Sequence, residues 1–228
     1  MVKVKWLGHS AFFISNNKFQ ILIDPFISGN PSSPVKAEDI EAQYILVTHG
    51  HSDHIGDAIP IAKRCNSLII APNELGYYTE KMGTRTHRMH IGGKANFDFG
   101  SIKLTQAFHG SAIIEDGNIL YTGMPCGFII SIDGKNIYHA GDTGLFGDMK
   151  LIGERTPIDL ALLPIGDNFT MGPEDASYAV DLLKPRIAIP MHYGTWPIID
   201  KDPYLFREGV RNGTSEIVIL KPGQEIEI

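Results

Sequence analysis

The chain has 228 residues, of which 43% are hydrophobic and 20% are charged, and its formal net charge is −6. This is the composition of an ordinary globular protein, and the acidic balance disfavours binding to nucleic acid or to an anionic membrane surface. No apolar run reaches the length of a membrane span and only two cysteines occur, so we expect a cytoplasmic protein with reduced thiols.

The first third of the chain is rich in short apolar strands. Alternating or continuous apolar runs predict strands over residues 2–7, 11–15, 19–23 and 44–47. Asn16 and Asn17 form a plausible tight turn between two of them. Beyond residue 48 the pattern predicts a helix over 55–64, a strand over 67–71 and a helix over 73–81.

A second strand-rich block is predicted over residues 102–138, with turns at Asp116-Gly117 and Asp133-Gly134. The last third alternates strands with helices, over 160–163, 173–183, 187–189, 204–210 and 217–220. Two strand-rich blocks, each accompanied by helices, predict an α/β (α+β) fold with two facing sheets between outer helices, a four-layer αββα sandwich. At this length we expect a single domain over residues 1–228.

The string THGHSDHI follows the strand predicted over 44–47 and contains His49, His51, Asp53 and His54. A polar surface loop is the alternative, but it leaves unexplained why three of the nine histidines lie so close together. In an extended segment His49 and His51 project to the same side and can bind one ion, whereas the adjacent Asp53 and His54 diverge and can serve a second. The loop therefore predicts a cation site after a strand end, with spacing compatible with two metals.

HGHSDH resembles the HxHxDH signature of the metallo-β-lactamase superfamily. The remaining landmarks of that superfamily occur in the right order, each after a strand-like run: Asp24, His109, Asp142 and His192. The resemblance implies one triad of ligands for each of two ions, namely His49, His51 and His109 for the first, and Asp53, His54 and His192 for the second. It also implies that Asp142 bridges the two ions and that Asp24 braces the metal loop by hydrogen bonding.

A closer resemblance covers the chain from end to end. The segments WLGHSAFFI, IDPFISGNP, PIGDNFTMGP and MHYGTWP look like uncharacterised bacterial and archaeal metal-dependent hydrolases related to L-ascorbate-6-phosphate lactonase. In that subgroup the motif around His9 opens the chain, so His9 either lies on the floor of the site or is a hydrogen-bonded core histidine. His139, three residues before Asp142, is either an outer partner of the ligands or a packed strand residue.

The ligand types indicate a chemistry. Imidazole and carboxylate suit zinc, the expected cation, and also manganese, iron or nickel. A water molecule between two such ions loses a proton near pH 7, and the bridging hydroxide can then cleave an ester, lactone, amide or phosphoester bond. We expect Asp53 to orient this hydroxide or receive its proton, and Asp142 to fix the separation of the ions. The expected partner is a small-molecule substrate, and two cations would attract it if it is an anion. A homo-oligomer is also compatible with the sequence.

Two other functions are compatible with these residues. One is a di-iron redox protein on the same fold, although flavodiiron sites resemble HxExDH, with glutamate at the position of His51, and have an added flavin domain. The other is a non-catalytic metal-binding protein, although structural zinc sites are usually closed and cysteine-rich. Both comparisons favour a binuclear metal-dependent hydrolase.

Four further segments have roles that the residues leave open. Residues 169–171 and 193–196 contain aromatic side chains that either line an apolar substrate wall or complete the core. The loop 28–34 either borders the pocket or is an exposed turn. His87 and His90 lie in the basic stretch RTHRMH and are expected to face solvent.

Overall fold

The structure is a computed structural model that describes residues 1–211 and 213–228. In chain order its strands are β1 Lys3–Trp6, β2 Phe12–Ser15, β3 Gln20–Ile23, β4 Tyr44–Leu46, β5 Leu68–Pro72, β6 Arg85–Met89, β7 Lys94–Phe97, β8 Gly100–Gln106, β9 Ala112–Glu115, β10 Asn118–Tyr121, β11 Cys126–Ile132, β12 Lys135–His139, β13 Leu160–Pro164, β14 Ile187–Met191, β15 Glu216–Ile217 and β16 Glu225–Glu227.

The helices in the described part of the chain are short. They are α1 Ser52–Ile55, α2 Ala58–Cys65, α3 Asn73–Lys81, α4 Met149–Arg155, α5 Pro173–Leu183 and α6 Pro203–Gly209, with 3-10 turns at Ala37–Asp39 and Pro197–Ile199. None of the helices within these ranges has the length and apolar character needed to cross a membrane.

Two seven-stranded sheets have the orders β16-β1-β2-β3-β4-β5-β6 and β15-β14-β13-β12-β11-β8-β7. Each sheet is antiparallel on one side and parallel on the other, with the change at β3 in the first sheet and at β12 in the second. The remaining pair, β9 and β10, forms a separate hairpin. Parallel strands in one sheet all end at the same edge. The loops after β3 and β4 therefore lie at one edge of the first sheet, and the loops after β12, β13 and β14 lie at one edge of the second.

The two sheets pack face to face over one apolar core. That core joins residues of the first sheet such as Val4 and Ile21 to residues of the second such as Phe128 and Ile189. Two further clusters join the outer faces of the sheets to helices: α2 and α3 cover the first sheet, and α4, α5 and α6 cover the second. The predicted four-layer αββα sandwich is therefore confirmed.

The prediction of one helix over 55–64 is wrong, because the chain breaks into α1 and α2 at Gly56, which has φ of +36°. A side chain there would collide with the carbonyl of Pro25, so the break allows the loop after β3 to pack against the start of the helical segment. The strand predicted over 217–220 is reduced to β15. The pattern also missed β6, β7, α4 and β16.

Candidate metal centre

The seven predicted ligands converge on one edge of the sandwich, where strands of both sheets end. His49 follows β4, while Asp53 and His54 lie in α1. The second sheet contributes residues that follow β8, β12 and β14, namely His109, Asp142 and His192. Metal-ligand atoms of the seven residues, together with one of His9, form three overlapping groups, and within each group these atoms all lie within 4.8 Å of one another.

Among the residues at this edge, His9, Asp24 and His192 have a left-handed backbone, with φ of 53°, 42° and 56°. Residues other than glycine seldom adopt this conformation, and where they do the surrounding contacts must hold it. The backbone N–H of His192 donates to the carbonyl of His9 at 3.0 Å, and Trp6 Nε1 donates to the same oxygen at 2.9 Å. These bonds link the two sheets at the floor of the site.

The first ligand group consists of His49, His51 and His109. His49 Nε2 lies 3.0 Å from His51 Nδ1, which lies 3.3 Å from His109 Nε2. Nitrogens bound to one zinc ion in tetrahedral geometry would be about 3.3 Å apart, so the group has the dimensions of a coordination triangle. Burial lowers the pKa of all three imidazoles, most strongly that of His49, which keeps them neutral with lone pairs available for a metal.

The second ligand group surrounds the carboxylate of Asp142. Its Oδ2 atom lies 3.0 Å from His192 Nε2, 3.2 Å from His54 Nε2 and 3.6 Å from His109 Nε2. The same two nitrogens of His54 and His192 are each 3.9 Å from Asp53 Oδ2. Asp142 thus contacts residues of both groups, and Asp53 lies on the side of the second.

The charges of the second group fit a bound cation. Burial alone would raise the pKa of Asp142, but His192 and His54 hold it well below its usual range. Conversely, burial alone would lower the pKa of His54, but Asp142, Asp53 and Asp24 raise it well above its usual range. His54 Nε2 and Asp142 Oδ1 are buried and have no hydrogen-bond partner among the described residues, since the 3.2 Å contact of His54 Nε2 with Asp142 Oδ2 is not aligned as a hydrogen bond. A divalent cation would replace the proton of His54 and satisfy these atoms.

Asp24 is fully buried behind the metal loop. Its carboxylate accepts hydrogen bonds from the backbone N–H and the hydroxyl of Thr48, at 2.8 and 2.7 Å, and from His54 Nδ1 at 2.8 Å. Since Nδ1 of His54 donates to Asp24, Nε2 is the nitrogen that faces Asp142 and would offer its lone pair to a cation. Asp24 therefore orients a predicted ligand without facing the cavity itself.

His9 contacts the site directly. It is buried, its Nε2 lies 3.1 Å from Asp53 Oδ2, and its Nδ1 lies 2.8 Å from the hydroxyl of Thr195. Burial lowers the pKa of His9 to about 4, so the neutral imidazole can donate from Nε2 to Asp53 while Nδ1 accepts from Thr195. Thr195 was not recognised from the sequence, because a threonine in MHYGTWP has no signal that distinguishes it from its neighbours.

His139 lies farther out, and its ring nitrogens bond to backbone groups. Its Nε2 donates to the carbonyl of Ser10 at 3.0 Å, and its Nδ1 accepts from the N–H of Gly141 at 3.1 Å. It therefore joins the loop that contains His9 to the loop that contains Asp142.

A cavity of about 430 Å³ opens onto the ligands. It is lined by residues from several loops: Phe26, His51, Ser52, Asp53, His109, Asp142, Phe169, His192 and Trp196. Phe169 and Trp196 lie in the two segments that were predicted either to line a substrate wall or to complete the core, and both line the cavity. Two neighbours in these segments pack inside the protein instead: Met171 is buried in the core, and Tyr193 stacks on Trp6 with ring centroids 5.4 Å apart. Phe26 also lines the cavity but lies outside both segments.

Two peripheral predictions have different outcomes. No residue of the loop 28–34, which is fully described, lines the cavity, and Ser28 instead bonds to Asp57. His90 is exposed as expected. The expectation for His87 is wrong, because this residue lies in β6, is half-buried, and packs edge to face against Phe97 with centroids 5.1 Å apart.

Comparison with known proteins gives consistent results. The profile of the family described as "Beta-lactamase superfamily domain" matches residues 20–193. UPF0173 metal-dependent hydrolases of Geobacillus sp. (strain WCH70) and Pelotomaculum thermopropionicum are each 54% identical to this chain, over 100% of both sequences. The structure of Igni18, described as a novel metallo hydrolase from Ignicoccus hospitalis, has a TM-score of 0.89 and 38% identity, covering 99% of this chain and 97% of its own.

The αββα sandwich and the histidine- and aspartate-rich edge define the class of fold and site. The chain belongs to the metallo-β-lactamase superfamily and, within it, to the family of UPF0173 metal-dependent hydrolases. The narrower resemblance to the lactonase-related enzymes stays a prediction.

Proposed function

We propose that this protein is a binuclear metal-dependent hydrolase that acts on a small substrate. The observation that carries the proposal is the position of Asp142 Oδ2, which lies within 3.6 Å of nitrogens from both ligand groups. A carboxylate between two sets of donors is the arrangement by which a protein fixes two cations near each other.

The residues that would hold the cations follow from the two ligand groups. His49, His51 and His109 would bind one, Asp53, His54 and His192 would bind the other, and Asp142 would contact both. Zinc is the first choice because nitrogen and oxygen donors in this number suit it, with manganese, iron and nickel as further candidates. When bound, the two cations would lower the pKa of a shared water molecule and offset the negative charge that develops on the substrate.

The reaction is the addition of water across an ester, lactone, amide or phosphoester bond. The water oxygen forms a bond to the carbonyl carbon or phosphorus, the bond to the leaving oxygen or nitrogen breaks, and one water proton ends on the leaving group. Asp53 borders the cavity with its side chain 23% exposed, so it is the group we assign to receive the water proton and pass it on. The hydrogen bond from His9 keeps its carboxylate in one orientation.

Metal restoration tests the proposal. The protein is stripped with a chelator, reloaded separately with zinc, manganese, iron or nickel, and assayed against ester, lactone, amide and phosphoester substrates. We expect hydrolysis to return with at least one metal and to be lost in His49→Ala. The variant His90→Ala, which changes an exposed histidine away from the centre, is the control and should keep the activity. Protein that binds two cations but hydrolyses nothing in the panel would contradict the proposal.

A further inference from the structure

The cavity over the metal centre has an aromatic wall formed by Phe26, Phe169 and Trp196. These side chains come from three separate loops, which follow β3, β13 and β14. Phe26 and Trp196 pack against each other with centroids 5.8 Å apart. Both also pack against His9, at 5.6 and 5.1 Å, so this part of the wall is attached to the imidazole that contacts Asp53.

The wall is not explained as part of the core. Phe169 is 52% exposed, and neither it nor Phe26 nor Trp196 belongs to any of the three apolar clusters. Gly29 leaves room for the ring of Phe26, because a Cβ atom at that position would lie 2.7 Å from Phe26 Cε2. Aromatic rings kept at the mouth of a cavity provide a flat apolar surface for a ligand.

The charges around the cavity disfavour an anion on the part of the substrate that meets this wall. Apart from histidines, the charged side chains among the described lining residues are Asp53 and Asp142, and neither lysine nor arginine occurs among them. Lys201, which follows the loop that contains Trp196, is paired with Asp167 at 2.9 Å and does not line the cavity. A carboxylate or phosphate directed at the wall would lose its hydration without gaining a counter-ion from the protein.

We propose that the site takes a substrate whose non-reacting part is an uncharged aromatic or similarly flat apolar group in contact with Phe26, Phe169 and Trp196. The inference rests on the proposed hydrolase function and names its substrate class. A volume of about 430 Å³ fits one ring and the bond to be cleaved.

Matched esters test the substrate class in the metal-loaded protein. Phenyl acetate and 4-acetoxybenzoate undergo the same reaction, in which the water oxygen bonds to the acetyl carbon, the bond between the acetyl carbon and the phenol oxygen breaks, and the phenol oxygen takes the proton. We expect kcat/KM to be about tenfold higher for phenyl acetate, mainly through KM. Equal values, or a preference for the carboxylate, would overturn the proposal.

A substitution in the aromatic wall tests whether the wall binds the substrate. In Trp196→Ala we expect KM for phenyl acetate to rise about tenfold, with a smaller change for 4-acetoxybenzoate. The matched control is Tyr204→Ala, because Tyr204 is an aromatic residue that is 56% exposed and does not line the cavity. A Trp196→Ala variant with the same KM as Tyr204→Ala for both esters would contradict a binding role of the wall.

A binding measurement separates this proposal from the hydrolase function. Ligands without a hydrolysable bond, 4-nitrobenzyl alcohol and 2-nitroethanol, are titrated into the metal-loaded protein while tryptophan fluorescence is recorded. The chain has two tryptophans, and Trp6 is buried at 3% exposure, so Trp196 is the accessible reporter. Both ligands present a hydroxyl to the metals, and only the first has a ring for the wall. Saturable quenching by 4-nitrobenzyl alcohol, at least about tenfold tighter than by 2-nitroethanol, supports the substrate class even if no ester is cleaved. Equal or tighter binding of 2-nitroethanol would contradict it even if esters are cleaved.

Discussion

The two ligand groups of the metal centre differ in charge and in enclosure. The first, His49, His51 and His109, which we call the open group, consists of neutral imidazoles, and two of its three members are only half-buried. The second, which we call the enclosed group, is anionic and more deeply buried, since Asp53 is its one half-buried member. Asp24 fixes His54 of this group by a hydrogen bond, and His9 fixes Asp53. We infer that the second group holds its cation more firmly, whereas the first exposes its cation to substrate.

The largest effect is expected where the two groups meet. Replacing the bridging carboxylate in Asp142→Asn removes a negative charge that both cations would share, so both should be lost. The loss of several kcal/mol of charge stabilisation corresponds to a decrease in kcat/KM of about 10³-fold. Metal content by mass spectrometry and a hydrolysis assay give the two readouts. The exposed Asp148, changed to Asn, is the control, and full metal content in Asp142→Asn would remove the basis for a shared ligand.

The difference between the groups is tested directly by His51→Ala. Loss of one neutral donor from the open group should release one cation and leave the other in place, because every ligand of the enclosed group is intact. We expect the metal content to fall by about one equivalent and kcat/KM to fall by about 10²-fold or more. If this variant loses both cations, the two positions are not independent in the way the geometry indicates.

A smaller effect is expected from the residue behind the enclosed group. The carboxylate of Asp24 accepts three hydrogen bonds, one of them from His54. In Asp24→Asn an NH2 group replaces one of its oxygens and the negative charge is lost, so His54 is no longer oriented by a charge. Metal affinity of the enclosed position should fall about 10- to 100-fold. Isothermal titration with zinc measures this affinity. Unchanged affinity at the enclosed position, with weaker binding at the open position, would contradict the assignment of Asp24 to the enclosed group.

The smallest effect concerns Thr195, which contacts His9 across 186 positions of sequence. Thr195→Val keeps the shape of the side chain and removes one hydrogen bond, which is worth about 0.5–1.5 kcal/mol. We expect kcat to decrease about three- to tenfold with metal content and KM unchanged, because Asp53 is less well oriented. Thr195→Ser keeps the hydroxyl and should retain most of the activity; a Ser variant as slow as the Val variant would show that the hydrogen bond to His9 does not account for the effect.

Strands, and the site residues that directly follow them, could be predicted from the local sequence pattern. Apolar runs marked most strands of both sheets, and residues placed just after them, such as Asp24 and His192, reach one edge because parallel strands end together. The HGHSDH loop was recognisable because its metal-binding side chains are adjacent in the chain.

Features that depend on distant contacts could not be read in this way. β6 is an edge strand with polar, half-buried side chains, so its alternation is weak. The break at Gly56 is required by a carbonyl of Pro25, thirty-one residues earlier in the chain, and not by its own neighbours. Phe26 and Thr195 acquire their positions only through contacts between loops, so nothing in their local sequence marks them.

Every role proposed for this site depends on two cations that lie side by side with Asp142 between them. A crystal structure of the metal-loaded protein, with anomalous scattering recorded at the absorption edge of the metal, tests this arrangement directly. We expect two anomalous peaks per chain, one beside His49, His51 and His109 and the other beside Asp53, His54 and His192, each within bonding distance of Asp142. A single peak in protein saturated with metal, or two peaks without Asp142 as a common ligand, would contradict it.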